Sequence, residues 1–198
     1  MTKLSEEILR QAEAAPEGTP LSAKELLHLG SRAAVDQALS RLVRRGSLIR
    51  AGRGLYVRPV RSRFGVRPPE TSKLVEAVAS QRGETVVPHG AAAANALGLT
   101  TQVPVREVYL TSGPSRRLKV GAQTVEFRHA PSWQLIHPGR HAGAVVRALA
   151  WLGPERARDA IRTLERRLSK AELLEITAAR AQLPTWMAQE ISALVSHG

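Results

Sequence analysis

The sequence predicts an α+β fold that is mostly helical, and three observations predict this class. Hydrophobic residues make up 43% of the 198 residues but aromatic residues only 4%, so Leu, Val, Ile and Ala must fill the core, which helices accommodate readily. Apolar residues recur at helical spacing near both ends of the chain. Short β-rich segments bounded by glycine or proline lie between these helical stretches.

The first two helices are predicted from apolar spacing and from turn residues. Leu, Ile and Ala within residues 4–12 share one helical face, and Pro16 ends that helix. Ser22 and Glu25 have the spacing of a capping box, in which the serine hydroxyl accepts from the glutamate N–H and the carboxylate accepts from the serine N–H. A short second helix over residues 22–28 is therefore expected.

A longer third helix and a tight hairpin are predicted next. Ser31 is the expected N-cap of a helix that runs to Arg45, and Gly46 follows where a left-handed residue belongs. Two short strands are expected around residues 47–50 and 55–58, with two glycines between them that permit the reversal. A short helix, a turn, a longer helix and a hairpin are the elements of a winged helix-turn-helix.

The chain is strongly basic, which favours a polyanionic partner. Its 29 Lys and Arg residues against 17 Asp and Glu residues give a formal charge of +12. Arginine dominates, and its planar guanidinium suits bidentate contacts with phosphate or guanine. A genome rich in G and C would also raise the arginine content, and that alternative stays open.

Composition argues against several other classes of protein. With no cysteine, the chain has no disulfides, zinc fingers or thiol nucleophiles. No apolar run approaches the roughly 20 residues that a membrane helix needs. The acidic, amphipathic N-terminus is not expected to be a signal peptide. The expected location is the cytoplasm, without a membrane partner.

The basic charge is concentrated in the third helix and in the segments that follow it. Nine arginines and no acidic residue lie between residues 37 and 69. If Val35, Leu39 and Leu42 face inward, the polar residues of the helix face outward. The residues expected to contact double-stranded DNA are Ser31, Arg32, Gln37, Ser40, Arg41, Arg44, Arg45, Arg50, Arg53 and Arg58.

Different roles are expected along this helix. Gln37 can pair bidentately with adenine, whereas Arg44 and the arginine after it are expected to contact phosphates, because recognition helices insert their N-terminal half. Ser31 and Arg32 can hold a phosphate at the helix N-terminus. Asp36 would repel phosphate unless it pairs with Arg32 or accepts from cytosine. The alternative is a solvated face whose arginines complement the helix dipole.

Domain boundaries follow from these patterns. Residues 1–58 are expected to form a winged helix-turn-helix DNA-binding domain, and residues 59–69, with three prolines, three arginines and little periodicity, a basic linker. A C-terminal α/β domain over residues 70–198 is expected to end in a helical bundle. Within it, mixed α/β structure is predicted at 70–135 and helices at 140–198.

Two blocks of sequence resemble a known family. The stretch LGSRAAVDQALSRLVRRGSLIRAGRGLYVRP resembles the N-terminal winged-helix domain of AbiEi-type antitoxins of type IV toxin–antitoxin (abortive-infection) systems. The stretch VVPHGAAAANALGLTTQVPVREVYLTSGPSRRLKVGAQTVEFRHAP resembles the next block of that family. The resemblance covers about residues 21–130, and the helical tail is similar only in kind.

The resemblance implies two roles for the protein. The N-terminal domain would bind repeats upstream of its own operon and act as a transcriptional repressor, and the C-terminal domain would counter a cognate nucleotidyltransferase-like toxin. The positions carried over are Arg32, Gln37, Arg41, Arg44, Arg50, Arg53 and Arg58. No short motif for antitoxin activity maps onto the chain. A stand-alone regulator, or a protein-interaction module without a toxin, stays open as the alternative.

A second basic surface is expected at Arg116, Arg117 and Lys119. It is either a further phosphate contact or part of a toxin interface, and the sequence does not choose between them. The segment is predicted to lie on a hairpin.

The sequence predicts neither catalysis nor a cofactor or metal. The four histidines of the second domain are His89, His129, His137 and His141. The last two have helical spacing, but a Pro-Gly pair between them makes a continuous helix improbable, and no carboxylate stands nearby as a third ligand. GRGLYV lacks the Lys-Ser/Thr end of a phosphate-binding loop, and GxSxG is absent. An RNA- or nucleotide-processing enzyme would need a catalytic cluster that no segment supplies.

Overall fold

A computed structural model describes residues 3–63 and 65–195 of the chain. Over those residues the fold is α+β, with eight α-helices and nine strands in three sheets, which confirms the predicted class. Within the same residues, no helix is both long and apolar enough to cross a bilayer. The chain forms two compact units, Met1–Glu84 with Arg116–Glu126 and Thr85–Ser115 with Phe127–Gly198. This division differs from the sequence-based boundaries at residues 58 and 70.

The first unit is built on helices that pack through apolar faces. Its first elements are α1 (Lys3–Ala14), β1 (Leu21–Ser22), a 3₁₀ helix (Glu25–Leu29) and α2 (Arg32–Arg44). Together with two later residues they bury one apolar cluster, made of Ile8, Ala12, Ala23, Leu26, Val35, Ala38, Leu39, Leu42, Leu48 and Tyr56. Each fully buried Leu or Val contributes about 2 kcal/mol relative to an exposed position.

Helix α2 begins after the predicted N-cap and ends at Arg44, one residue before the predicted end. The Ser31 hydroxyl accepts a hydrogen bond from the Ala34 N–H at 3.3 Å, and this N-cap starts the helix. Gly46 has a φ of 69°, a conformation that lets the chain leave the helix without a steric penalty. Val35, Leu39 and Leu42 are completely buried, so the predicted inward stripe is confirmed.

The predicted capping box at residue 22 is wrong. Ser22 lies in β1, and its hydroxyl accepts from the Lys24 N–H at 3.3 Å instead of from the residue after it. The Glu25 carboxylate accepts from the Gln81 side chain at 3.1 and 3.2 Å. Ser22 is thus held in a strand, and the Glu25 carboxylate is bound to the Gln81 amide, so neither residue caps a helix. The helix that follows is 3₁₀ rather than α.

A three-stranded antiparallel sheet completes this region. Strands β2 (Ile49–Gly52) and β3 (Leu55–Val57) form the predicted hairpin, and the sheet order is β1-β3-β2. Gly54 adopts a φ of 68° at the reversal, where a side chain would be strained. The register between β2 and β3 shifts at a bulge between Arg50 and Gly52, which increases the local twist of the hairpin.

The segment predicted as a linker contains a second hairpin. Strands β4 (Val60–Ser62) and β5 (Gly65–Arg67) pair antiparallel in a sheet of their own. Every residue of β5 is exposed, so no alternation of apolar residues marked the segment as a strand. Helix α3 (Thr71–Arg82) follows, and its C-cap residue is Gly83, whose φ is 62°.

A four-stranded sheet continues the chain. It contains β6 (Val86–Pro88), β7 (Glu107–Thr111), β8 (Arg116–Val120) and β9 (Gln123–His129), in the order β6-β7-β9-β8. The division between the two compact units runs through β9. Helix α4 (Gly90–Ala96) follows β6, and its alanines pack against a later helix with little intervening side chain.

The C-terminal part of the second unit is helical, as the sequence predicts. It consists of α5 (His141–Leu152), α6 (Pro154–Glu165), α7 (Lys170–Ala178) and α8 (Thr185–Val195). Residues 196–198 of the predicted helical region lie outside the described residues. These helices enclose the largest described core, whose most buried side chains include Leu149, Met187 and Ile191.

A capping box precedes α7, and we expect its loss to be measurable. The Ser169 hydroxyl accepts from the Glu172 N–H at 3.3 Å, and the Glu172 carboxylate accepts from the Ser169 N–H at 2.7 Å. Ser169→Ala should lower the free energy of unfolding by about 1 kcal/mol, and Ser169→Gly by only a few tenths. Urea denaturation measures both, and equal losses for the two variants would contradict the capping role.

A buried arginine organises the loop before α5. Arg147 is only 3% exposed, and its Nη1 donates to the carbonyl oxygens of Gln134 and Ile136, each at 3.4 Å. Burial lowers the pKa of Arg147 to about 10. Gly143 makes room for the guanidinium, since a Cβ there would lie 2.9 Å from Nη1 and in contact with the His137 carbonyl oxygen. Arg147 therefore holds the loop against the helix by hydrogen bonds.

Candidate nucleic-acid interface

The outward face of α2 is polar and accessible. Gln37, Ser40, Arg41 and Arg44 are all exposed and, with Asp36, line a shallow depression on this face. Their arrangement follows from the buried stripe on the opposite side, because residues at helical spacing from it must point outward. The four polar residues expected from the sequence are thus brought together on one surface.

Hydrogen bonds between side chains order this face along the helix. Arg41 Nη2 donates to Gln37 Oε1 at 3.5 Å, and Arg44 Nη2 donates to Ser40 Oγ at 3.3 Å. Both pairs are separated by four residues, the spacing at which helical side chains meet. Each guanidinium keeps further N–H donors for a ligand, because arginine carries five.

The acidic residue on this face is paired within the helix. Arg32 Nε donates to Asp36 Oδ2 at 2.9 Å, and both side chains are about half exposed or more. This is one of the two arrangements that would keep Asp36 compatible with a phosphate backbone. The ion pair also engages Arg32. A phosphate held by Arg32 at the helix N-terminus would therefore share the guanidinium with Asp36. The Ser31 oxygen accepts the capping bond but keeps its own O–H as a donor.

The C-terminal end of α2 and the β2–β3 hairpin carry further exposed arginines. Arg45, Arg50, Arg53 and Arg58 all face solvent. Arg50 Nε donates to the Gly52 carbonyl oxygen at 3.4 Å, a contact within the hairpin itself. Over residues 3–63 and 65–195, none of these four, nor Arg41 or Arg44, lies within ion-pair distance of a carboxylate. Six positive charges therefore remain uncompensated by a direct partner.

A family model described as "Family of unknown function (DUF6088)" matches residues 7–175. The chain belongs to the DUF6088 family. The match includes α2, both hairpins of the first unit and the helices of the second unit up to α7. Neither a curated protein nor a solved structure was found to match.

The second basic surface is only partly present in this DUF6088 chain. Arg116 is 13% exposed and forms a bidentate ion pair with Glu84, with nitrogen–oxygen distances of 2.6 and 3.1 Å. The Arg116 charge is thus paired with Glu84, and its expected role in a phosphate contact or a toxin interface stays a prediction. Arg117 is exposed, with Glu126 Oε1 at 3.8 Å, and Lys119 is exposed as well.

His89, His129 and His141 have local side-chain partners in the DUF6088 chain. The Nδ1 atom of His89 accepts from the Ala91 N–H at 3.2 Å and caps α4, and His141 Nδ1 lies 2.7 Å from a Glu172 carboxylate oxygen. His129 Nδ1 lies 3.0 Å from the Gly113 carbonyl oxygen, and His137 has a φ of 45°. In the described part of the chain, no group of three His, Asp or Glu side chains has the arrangement of a metal site.

Two charged residues of structural importance were missed by sequence reasoning. Glu84 lies two residues after the end of α3 and 32 residues before Arg116, which it neutralises. No local sequence pattern indicates a pair so far apart. Arg147 did leave a signal, because it is a single cation within the otherwise apolar sequence AVVRALAWL. A lone charged residue on an apolar helix face indicates a buried interaction.

Proposed function

We propose that the first unit binds double-stranded DNA sequence-specifically through α2 and the β2–β3 hairpin. The observation that carries this proposal is the exposed face of α2. Arg41 and Arg44 on this face have no ion pair with a described carboxylate, and its single acid is neutralised by Arg32. The charge of these two arginines is therefore available to a polyanionic ligand.

The order of elements supports a winged helix-turn-helix as the DNA-binding fold. In that arrangement α2 is the recognition helix and the β2–β3 hairpin is the wing. The antiparallel order β1-β3-β2 is consistent with it, since β1 precedes the two helical segments and pairs with the distal wing strand. The bulge in β2 twists the wing, which helps it to follow a curved groove.

Within this proposal the contacts have distinct roles. Gln37 reads an adenine in the major groove, with its amide oriented by the bond from Arg41. Arg44 and Arg45, at the C-terminal end of α2, contact phosphates. The hairpin arginines lie on or beside the minor groove, where the negative potential of DNA favours guanidinium groups.

Repression and antitoxin activity form the wider proposal. The two sequence blocks that resemble AbiEi-type antitoxins support an autorepressor that also counters a nucleotidyltransferase-like toxin. The adjacent gene tests this directly: a nucleotidyltransferase-like product whose toxicity is relieved by co-expression of this chain is expected. A neighbouring toxin that is unaffected by co-expression would reject the antitoxin role and leave the stand-alone regulator.

We expect preferential binding to the upstream region of the chain's own gene, with a steep dependence on salt. Neutralising about five phosphates gives a slope of about −4 to −5 in a plot of log K against log salt concentration. Fluorescence anisotropy with that region and with a shuffled duplex of equal length measures both properties. Equal affinity for the two duplexes would overturn sequence-specific binding.

Two single substitutions in α2 should separate base reading from phosphate contact. Gln37→Ala should mainly relax the sequence preference, with a loss of discrimination of about 1–3 kcal/mol at one base pair. Arg44→Ala should weaken binding to all sequences alike and reduce the salt slope by about 1. Anisotropy on the operator and on single-base variants tests both. The reverse assignment of effects would show that the orientation of α2 in the groove is wrong.

A further inference from the structure

The β4–β5 hairpin projects from the first unit with both faces open to solvent. From Arg61 to Arg67 every described residue of its strands and turn is exposed. The strands pair over three positions, with Arg61 opposite Val66. Val66 is 62% exposed, so the hairpin has no apolar face in the core of the unit. A two-stranded ribbon of this kind is at best marginally stable in water by itself.

The base of the hairpin is held in place from both sides. Pro59 and Pro69 are buried at its two ends. Arg67 Nη1 donates to the Pro68 carbonyl oxygen at 3.1 Å and lies 3.7 Å from Glu17 Oε1. Glu17 also accepts from Lys73 Nζ at 2.8 Å, and this hydrogen bond is the main cause that lowers the pKa of Glu17. The base is therefore fixed by charged contacts, while the outer part reaches into solvent.

The hairpin is continuous with the surface assigned to DNA. A cavity of about 260 Å³ is lined by Ser47, just after α2, by Arg58 at the end of the wing, and by Arg61 at the start of the second hairpin. These residues thus lie around one end of the recognition helix. Glu13 and Glu17 line the same cavity from α1 and the turn after it. Glu17 is engaged by Lys73, whereas Arg61 has no ion pair within the described residues.

We propose that the β4–β5 hairpin is a second wing, which contacts the phosphate backbone of duplex DNA beyond the base pairs covered by α2 and the first wing. Charge complementarity favours a phosphate backbone as the ligand of this hairpin. Arg61 and Arg63 are exposed, and the whole stretch from residue 37 to residue 69 contains no acidic residue. The proposal rests on the DNA-binding function and adds the flanking backbone to its footprint.

Duplex length and salt dependence test the second wing. The double variant Arg61→Ala plus Arg63→Ala leaves the anchored base of the hairpin unchanged. On a duplex of about 30 base pairs centred on the operator, we expect its affinity to fall about 10-fold and its salt slope to decrease by about 2, since each phosphate contributes about 0.9. On a duplex of about 12 base pairs, the length covered by one recognition helix and its wing, wild type and variant should bind equally.

The matched control is Arg162→Ala plus Arg166→Ala, which removes two exposed arginines from the end of α6. It should bind both duplexes like wild type, and unchanged urea midpoints should accompany both variants. Superimposed curves for wild type and hairpin variant on the long duplex would overturn the second wing, as would an equal loss on both lengths. Failure of wild type to prefer its operator would instead reject the DNA-binding function itself, so the two failures are distinguishable.

Discussion

The double substitution Arg41→Ala plus Arg44→Ala is expected to lower the affinity for the upstream operator about 100-fold at physiological salt. Both side chains are exposed on one face of α2, and each donates to a neutral side chain four residues before it. Neither forms a carboxylate ion pair within the described residues, so their loss removes charge that is available to DNA. The effect should be largest among substitutions on this surface.

The measurement is a salt titration of operator binding by fluorescence anisotropy. The log–log slope should fall by about 2, because two phosphate-directed cations are lost. The control Arg162→Ala plus Arg166→Ala removes the same number of exposed arginines from the C-terminal end of α6 and should leave affinity and slope near wild type. An equal effect of both pairs would mean that net charge alone, and not the α2 surface, governs binding.

The same double variant also separates the two proposed roles. If the chain holds a toxin through another surface, the neighbouring gene product should still co-purify with the Arg41→Ala plus Arg44→Ala protein. Relief of toxicity should likewise survive, while repression of the promoter is lost. Simultaneous loss of both activities, in a variant with an unchanged urea midpoint, would place the toxin contact on α2 itself.

Glu84→Ala is expected to lower the free energy of unfolding by about 3 kcal/mol, since it leaves a nearly buried guanidinium without its carboxylate. Glu84 and Arg116 are 11% and 13% exposed, and their bidentate contact closes at 2.6 and 3.1 Å. Urea denaturation followed by circular dichroism measures the loss. This loss of unfolding free energy is larger than the loss expected for a surface ion pair, because at an exposed site water solvates the charge that remains.

Two further variants identify the cause. Glu76→Ala removes an exposed carboxylate from the middle of α3 and should change the unfolding free energy by less than about 0.5 kcal/mol. Replacing both partners, with Glu84→Leu plus Arg116→Met, should recover most of the stability, because no charge is then stranded. A double variant as unstable as Glu84→Ala would show that packing, rather than an unpaired charge, explains the loss.

Helix α2 was predictable because its determinants are local. Ser31, the buried stripe of Val35, Leu39 and Leu42, and Gly46 all lie within sixteen consecutive positions, and each acts on its own neighbours. The outward polar surface follows from helical geometry alone. The same holds for the capping box before α7, where the helix start depends on residues three apart.

The errors arose where distant contacts outweighed local signals. Ser22 has a capping pattern, but its backbone pairs with Leu55 in β3, and Glu25 is drawn to Gln81 on α3. The β4–β5 hairpin carries no apolar alternation, because neither face is buried, so only its anchored ends explain its presence. Arg116 was assigned to the surface by its basic neighbours, although its partner lies 32 residues away.

Arg147 has a consequence for how the second unit responds to its surroundings. With a pKa of about 10, the folded protein keeps this side chain protonated at neutral pH, and roughly one molecule in a thousand would hold it neutral. The hydrogen bonds from this cation to the two loop carbonyls are therefore insensitive to pH near neutrality. A change of acidity in that range is not expected to release residues 134–136 from α5.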